Sequence, residues 1–249
     1  MHSRQRDFSI FDKFNFERKP VGVTYSLKKP AGIKQLDKEL ALCELFQEAQ
    51  SSDPFYAARE NIQCGEQILG MKDFPPVMRS GQLGPNFAMF KDPSANRRIY
   101  EYIPILSKDS VEYIAFSPLD QLSEDPDLII ITANITQAEV LLRASSYSNG
   151  KMWSSKGTTC LACAWIYVSP YVNGEVNFTV TGLGFSMKAR QVLPEGLMLI
   201  TIPFDMIPAM IENLQDMEWN LALGTGSRDE NWQRILKAHE ELAKEMEAK

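Results

Sequence analysis

The chain reads as an α+β or α/β protein, one mixed β-sheet covered by helices. Three observations predict this. Segments 111–122 (VEYIAFSPLDQL), 127–144 (DLIIITANITQAEVLLRA) and 196–214 (GLMLITIPFDMIPAMIENL) each open with a short buried-strand pattern followed by a tight turn. In the last two a helical pattern starts almost at once. Segments 20–27 (PVGVTYSL) and 175–185 (EVNFTVTGLGF) alternate apolar and polar residues, as half-buried strands do. No shift of composition marks a boundary, so residues 1–249 read as a single domain.

Residues 7–16 (DFSIFDKFNF) carry Phe8, Ile10, Phe11, Phe14 and Phe16 and predict a short amphipathic helix, docking residues 1–18 onto the body. After the first strand, residues 37–50 (DKELALCELFQEAQ) read as a helix whose buried side takes Leu40, Cys43 and Phe46 with Leu36 just before it, and Leu42 and Ala49 beside them, with Cys43 facing inward. Residues 55–71 read as an extended half, then CGEQILGM as a turn opening a short helix, with Cys64 near its N-terminus. Residues 72–93, rich in Pro and Gly, read as a long connection. Residues 93–106 form a helix ending before Pro104.

The strand patterns of 127–144 and 196–214 align without gaps, Ile129-Ile130-Ile131-Thr132 against Met198-Leu199-Ile200-Thr201. A repeated strand–helix module and convergence on buried-strand composition account for this equally well. A polar segment, 154–159, caps a helix starting near Thr159 that carries Cys160 and Cys163 and ends near Ser169-Pro170. Residues 186–192 (SMKARQV) predict a helical turn. Residues 228–249 form a charged helix with a thin apolar stripe, Trp232, Ile235, Leu236, Leu242 and Met246, suited to docking on the body or on a partner.

Charge and composition exclude several classes. Lys and Arg number 26 against 32 Asp and Glu, a net charge of -6, which argues against a nucleic-acid binder. No run approaches the roughly 18 apolar residues of a membrane span, and the N-terminal segment lacks the apolar region of a secretory signal. A cytoplasmic protein with reduced cysteines follows as the expectation. The only histidines are His2 and His239. A histidine-based nucleophilic site would need one of these peripheral residues, and a multi-histidine metal centre cannot be built.

The chemistry therefore rests on cysteines, glycines and cations. Cys160 and Cys163 form a C-x-x-C, and Cys43 and Cys64 complete a set of four thiols. A shared zinc or iron–sulfur site needs all four to converge. A redox dithiol needs an exposed, electropositive Cys160/Cys163 pair. Independent core cysteines, acting as small hydrophobes, are the simpler account. Gly182 and Gly184, in TGLGF, follow a strand and precede a helical pattern. They either hold an anion on backbone N–H groups, with Lys188 or Arg190 assisting, or serve only as a turn. Arg143 pairs with a carboxylate, completes an anion pocket or complements the C-terminus of its own helix. Trp153 and Lys156 lie in a polar loop (GKMWSSKGT) that is either a ligand cover or plain surface.

Taken together, KPVGVTY (19–25), the cysteine of LALCELFQEA, QCGEQILGM (63–71), the helix with Cys163, and NFTVTGLGFSMKAR (177–190) followed by GLMLITIPFDMI resemble the DUF169 family. The family comprises proteins of unknown function from archaea and anaerobic bacteria. The resemblance runs from about Lys19 to Asn220 and implies a cytoplasmic protein of anaerobic metabolism, without an assigned reaction. It puts weight on Cys43, Cys64 and Cys163 and less on Cys160. The cysteine-glycine pattern often found at the TGLGF turn is missing here, so that turn supplies no cluster ligand. The expected function is small-molecule or cofactor binding. The alternatives are a cysteine-ligated iron–sulfur or metal protein, and an assembly subunit forming a homo-oligomer through its C-terminal helix.

Overall fold

A computed structural model describes residues 7–180, 185–192, 194–221 and 226–247. Among the described residues nine strands form: β1 (Val21–Ser26), β2 (Lys34–Gln35), β3 (Leu40–Ala41), β4 (Phe55–Ala58), β5 (Ile62–Cys64), β6 (Tyr113–Pro118), β7 (Leu128–Ala133), β8 (Asn177–Val180) and β9 (Met198–Pro203). Seven of them make one mixed sheet in the order β2-β4-β6-β1-β7-β9-β8, in which only β2 and β4 run parallel. β3 and β5 pair apart from it. The fold is α+β, as the strand and helix patterns predict.

Strand periodicity divides the core. Leu128 and Ile130 of β7 face one side with Val21, Val23, Ile114, Phe116 and Leu199. Ile129 and Ile131 face the other with Ile200 and Ile202. This alternation explains why β7 reads as continuous apolar sequence: both faces are covered.

The second face is covered by α6 (Ile135–Ser146) and α9 (Ile207–Asp216), which pack on each other, and by a 3-10 helix at Ser9–Phe14. Here the two similar strand–helix segments lie side by side, with β7 and β9 antiparallel and Ile130 opposite Thr201. Asn134 and Gln137 form a reciprocal capping box at α6, each side chain accepting the other's backbone N–H at 2.9 Å. Gln137 Nε2 also donates to Phe14 O, fastening the 3-10 helix whose Ile10, Phe11 and Phe14 are buried.

The first face carries α1 (Leu42–Ala49), the short helices α2 (Pro76–Arg79), α3 (Leu83–Asn86), α4 (Pro93–Arg97) and α5 (Ile99–Tyr102), and a long bent helix. That helix begins at Ala162, widens into a π-helix at Ala164–Val168 and continues as α7 (Ser169–Asn173). α8 (Phe185–Ala189) follows β8. Residues 72–93, expected as a long connection, hold α2 and α3.

Three expectations are corrected. The helix expected over 37–50 starts at Leu42, because residues 40–41 pair with β5 and Glu44 accepts the Ala41 N–H at 2.7 Å. The segment after Cys64 is a run of turns, not a helix: Ile68 N and Gly70 N bond three residues back, and Gly65 sits at φ +104°. The Cys163 helix starts after Cys160 and runs through Pro170. Leu161 at φ +56° breaks the chain direction between the two cysteines. The helix passes Pro170 because its π register would pair the residue-170 amide with the Trp165 carbonyl. Proline has no amide to offer, and Asn177 Nδ2 donates to that carbonyl instead, at 2.8 Å.

α10 (Arg228–Glu247) contains no buried residue; its Trp232, Leu236, Leu242 and Met246 are exposed. Among the described residues no helix is long and apolar enough to cross a membrane.

Candidate functional site

The fold brings together three cysteines far apart in sequence. Ala41 of β3 is in register with Cys64 of β5, which places Cys64 beside the start of α1. Cys43 lies in the first turn of α1 and is buried. On the long bent helix, Cys163 precedes Tyr167 by four residues and shares its face. Tyr167 Oη donates to Leu42 O at 2.8 Å, and Tyr25 Oη donates to Tyr167 O at 2.8 Å. The first bond, which is buried, holds the turn of Tyr167 against the start of α1, and the second, partly buried, ties the bent helix to β1.

A hydrogen bond from the Cys163 thiol holds Cys43 below its ordinary range, against the opposing effects of burial and Glu44, with Arg190 helping. Donating that bond, and then burial, push Cys163 well above the usual thiol value. Burial also raises Cys64, with the Cys43 and Glu66 charges adding to it and Arg190 opposing. Arg190 stands over this group: its Nη1 lies 2.9 Å from Glu44 Oε2, the oxygen that also caps α1. Beyond Cys64, Glu66 is buried, its Oε1 taken by Lys72 at 3.1 Å and by Gln67, while Oε2 has no hydrogen-bond partner.

Cys160 stands elsewhere. Its Sγ donates to Asn96 Oδ1 at 3.8 Å, and burial pushes its thiol up to about 11. Tyr100 beside it is pushed up to about 12, mainly by burial and then by Cys160. The expected four-thiol set is therefore a trio plus one. Among the described residues no group of three or more His, Cys, Asp or Glu side chains is arranged to hold a metal ion. The described thiols therefore show no ready-made zinc or iron–sulfur site.

On the opposite side of the bent helix lies an apolar cleft of about 260 Å³. Ala162 and Trp165 of that helix, Phe178 to Val180 of β8, Met187 of α8 and Met198 of β9 line it, and Ser155, Gly157 and Thr158 close it. The closing segment is fastened by Asn177, whose Oδ1 accepts Lys156 N at 2.9 Å and whose Nδ2 donates to Lys156 O at 3.1 Å. Ser155 Oγ donates to Phe178 O, and Trp165 Nε1 donates to Thr158 Oγ1 at 2.8 Å. A larger groove of about 1090 Å³ lies between the 3-10 helix and residues 119–125, but no cysteine or sequence-predicted site residue lines it.

The sequence-predicted ligand residues separate. Lys156 lies on the cover of the cleft, with an exposed side chain. Trp153 is half exposed and donates to Ser146 Oγ, beside a smaller pocket. Arg143 serves the fold, its Nη1 and Nη2 donating to Glu218 O and Trp219 O at 2.6 Å and its Nε to Glu139 at 2.8 Å. Arg190 belongs to the thiols. Gly182 and Gly184 lie outside the described residues.

Asn177, Tyr167 and Tyr25 were not singled out from the sequence. The alternation of β8 puts Asn177 on the inward face, and a polar residue at an inward strand position was the available signal. For Tyr167 and Tyr25 no local signal exists.

A family model matches residues 9–213 of the chain; its description reads DUF169, Uncharacterised ArCR. The chain belongs to the DUF169 family. The matched span contains every cysteine of this DUF169 chain and the whole cleft, and stops before α10. No curated protein and no solved structure matches it.

Proposed function

We propose that this DUF169 protein binds a small, largely apolar molecule in the cleft between the bent helix, β8 and α8. The observation that carries this reading is the cleft itself. Aromatic and methionine side chains line it, and an extended segment is held across it by a buried asparagine rather than by its own packing. Recognition sites typically pair such apolar walls with a few placed polar groups, here Ser155, Thr158 and Thr179. Methionine walls adapt to the shape of the occupant.

The test uses an environment-sensitive apolar dye, 1-anilinonaphthalene-8-sulfonate, in a fluorescence titration of the folded full chain. Ala162→Leu fills the cleft from the helix side and is expected to weaken dye binding at least about tenfold, the equivalent of about 1.4 kcal/mol. Native mass spectrometry of freshly purified protein reads any co-purifying occupant. Equal dye affinity in both proteins, with no bound species, overturns the reading.

A further inference from the structure

Resting on the cleft as the binding site, we propose that its ligand is a ring compound of about indole size that donates a hydrogen bond, through a neutral N–H or O–H, to the hydroxyls of Thr158 and Ser155.

The volume sets the size. An apolar cavity of about 150 Å³ takes up benzene. The cleft, at about 260 Å³, has room for a second fused ring. Trp165, Phe178, Met187 and Met198 offer such a ring flat and adaptable apolar walls.

The hydroxyls set the polarity. A hydroxyl has one proton to give and two lone pairs to receive with. Thr158 Oγ1 donates to Cys160 O at 2.6 Å and accepts Trp165 Nε1–H at 2.8 Å. Both directions are forced, because a carbonyl only accepts and an indole N–H only donates. One lone pair of Thr158 is left. Ser155 Oγ has likewise given its proton to Phe178 O and keeps its lone pairs. Thr179 shows its methyl to the covering segment: Cγ2 is the atom that an added Cβ at Gly157 would meet, at 3.9 Å. The two hydroxyls held at the cleft can therefore receive a hydrogen bond but have no proton left to give. A ligand that only accepts would set its lone pair against theirs and leave both sides unpaired. Among the described residues that line the cleft none has an ionisable side chain, so a charged group finds no counter-charge there. The donor is thus a neutral N–H or O–H.

The experiment titrates the folded full chain by isothermal calorimetry with indole and with benzofuran, which has the same shape but an oxygen in place of the N–H. Indole is expected to bind about tenfold more tightly. Benzyl alcohol is expected to bind about tenfold more tightly than benzylamine, which carries its donors on an ammonium at neutral pH. Ala162→Leu, which fills the cleft, is expected to weaken indole binding at least about tenfold. Thr158→Val together with Ser155→Ala is expected to bring indole and benzofuran to within about twofold of each other. The comparison of ligands on the unsubstituted chain stands even where a variant folds poorly. Equal affinity for indole and benzofuran, both weakened by Ala162→Leu, overturns the donor preference and leaves the cleft as a binding site. Benzylamine binding as tightly as benzyl alcohol overturns the neutral donor. No binding of any of the four compounds, or indole binding untouched by Ala162→Leu, overturns the proposal together with the cleft as its site.

Discussion

Replacing Asn177 by alanine tests the account of the bent helix most directly. Asn177 is 6% exposed and makes three bonds at once: from Lys156 N, to Lys156 O and to Trp165 O. The Trp165 carbonyl has no amide to receive in the π register, since residue 170 is proline. Without Asn177 it becomes an orphan buried acceptor, which costs about 1–3 kcal/mol. The Lys156 groups sit in an exposed segment and recover water, so their loss adds at most about 1 kcal/mol. The sum, roughly 1–4 kcal/mol, corresponds to a fall in Tm of about 2–16 °C for a chain of this size. Asn177→Asp is expected to be worse than alanine, because a carboxylate then faces two carbonyl oxygens instead of donating to them. Urea unfolding gives the stability change, and limited trypsin digestion at Lys151 and Lys156 reports release of the cover. Unchanged stability together with unchanged cleavage refutes the role assigned to Asn177.

Three further outcomes follow from the same structure. Gly70 sits at φ +73°, and an added Cβ would lie 2.2 Å from Ser107 O, whereas Gly150 at φ +63° has nothing within 4 Å. Gly70→Ala should therefore cost about 3 kcal/mol or more and Gly150→Ala only about 1 kcal/mol, read by thermal melts of both. Burial raises Tyr25 and Tyr167 well above 10.0, and its thiol hydrogen bond and burial raise Cys163 well above 9.0. Above those ordinary values the unfolded chain sheds protons that the folded chain keeps, so stability falls as pH rises from about 9, by about 1.4 kcal/mol per pH unit for each such proton. Tyr25→Phe should flatten that slope by one proton in urea titrations at successive pH values. Deleting residues 228–249 removes a helix with no buried residue, so the urea midpoint should hold within about 0.5 kcal/mol, while gel filtration shows whether α10 joins copies of the chain.

The sequence by itself determined the sheet-and-helix class, the apolar strands and the strand–helix pairs at β7–α6 and β9–α9. These follow from periodicity, a local property of the chain. It also marked Cys43 as inward-facing. It misplaced Cys160, which the helical spacing of a C-x-x-C put on the face of Cys163, because nothing local announced the positive φ of Leu161. Pro170 was read as a helix end, since the asparagine that substitutes for its missing amide comes from a different strand. Arg143 was open between a carboxylate partner, an anion pocket and its own helix C-terminus, and the fold gives it Glu139 and the carbonyls of 218 and 219. Only the tertiary structure set Cys43 against Cys163 and Arg190 beside them. Those contacts span more than a hundred residues and depend on two tyrosine hydroxyls finding particular carbonyls, which no window of sequence encodes.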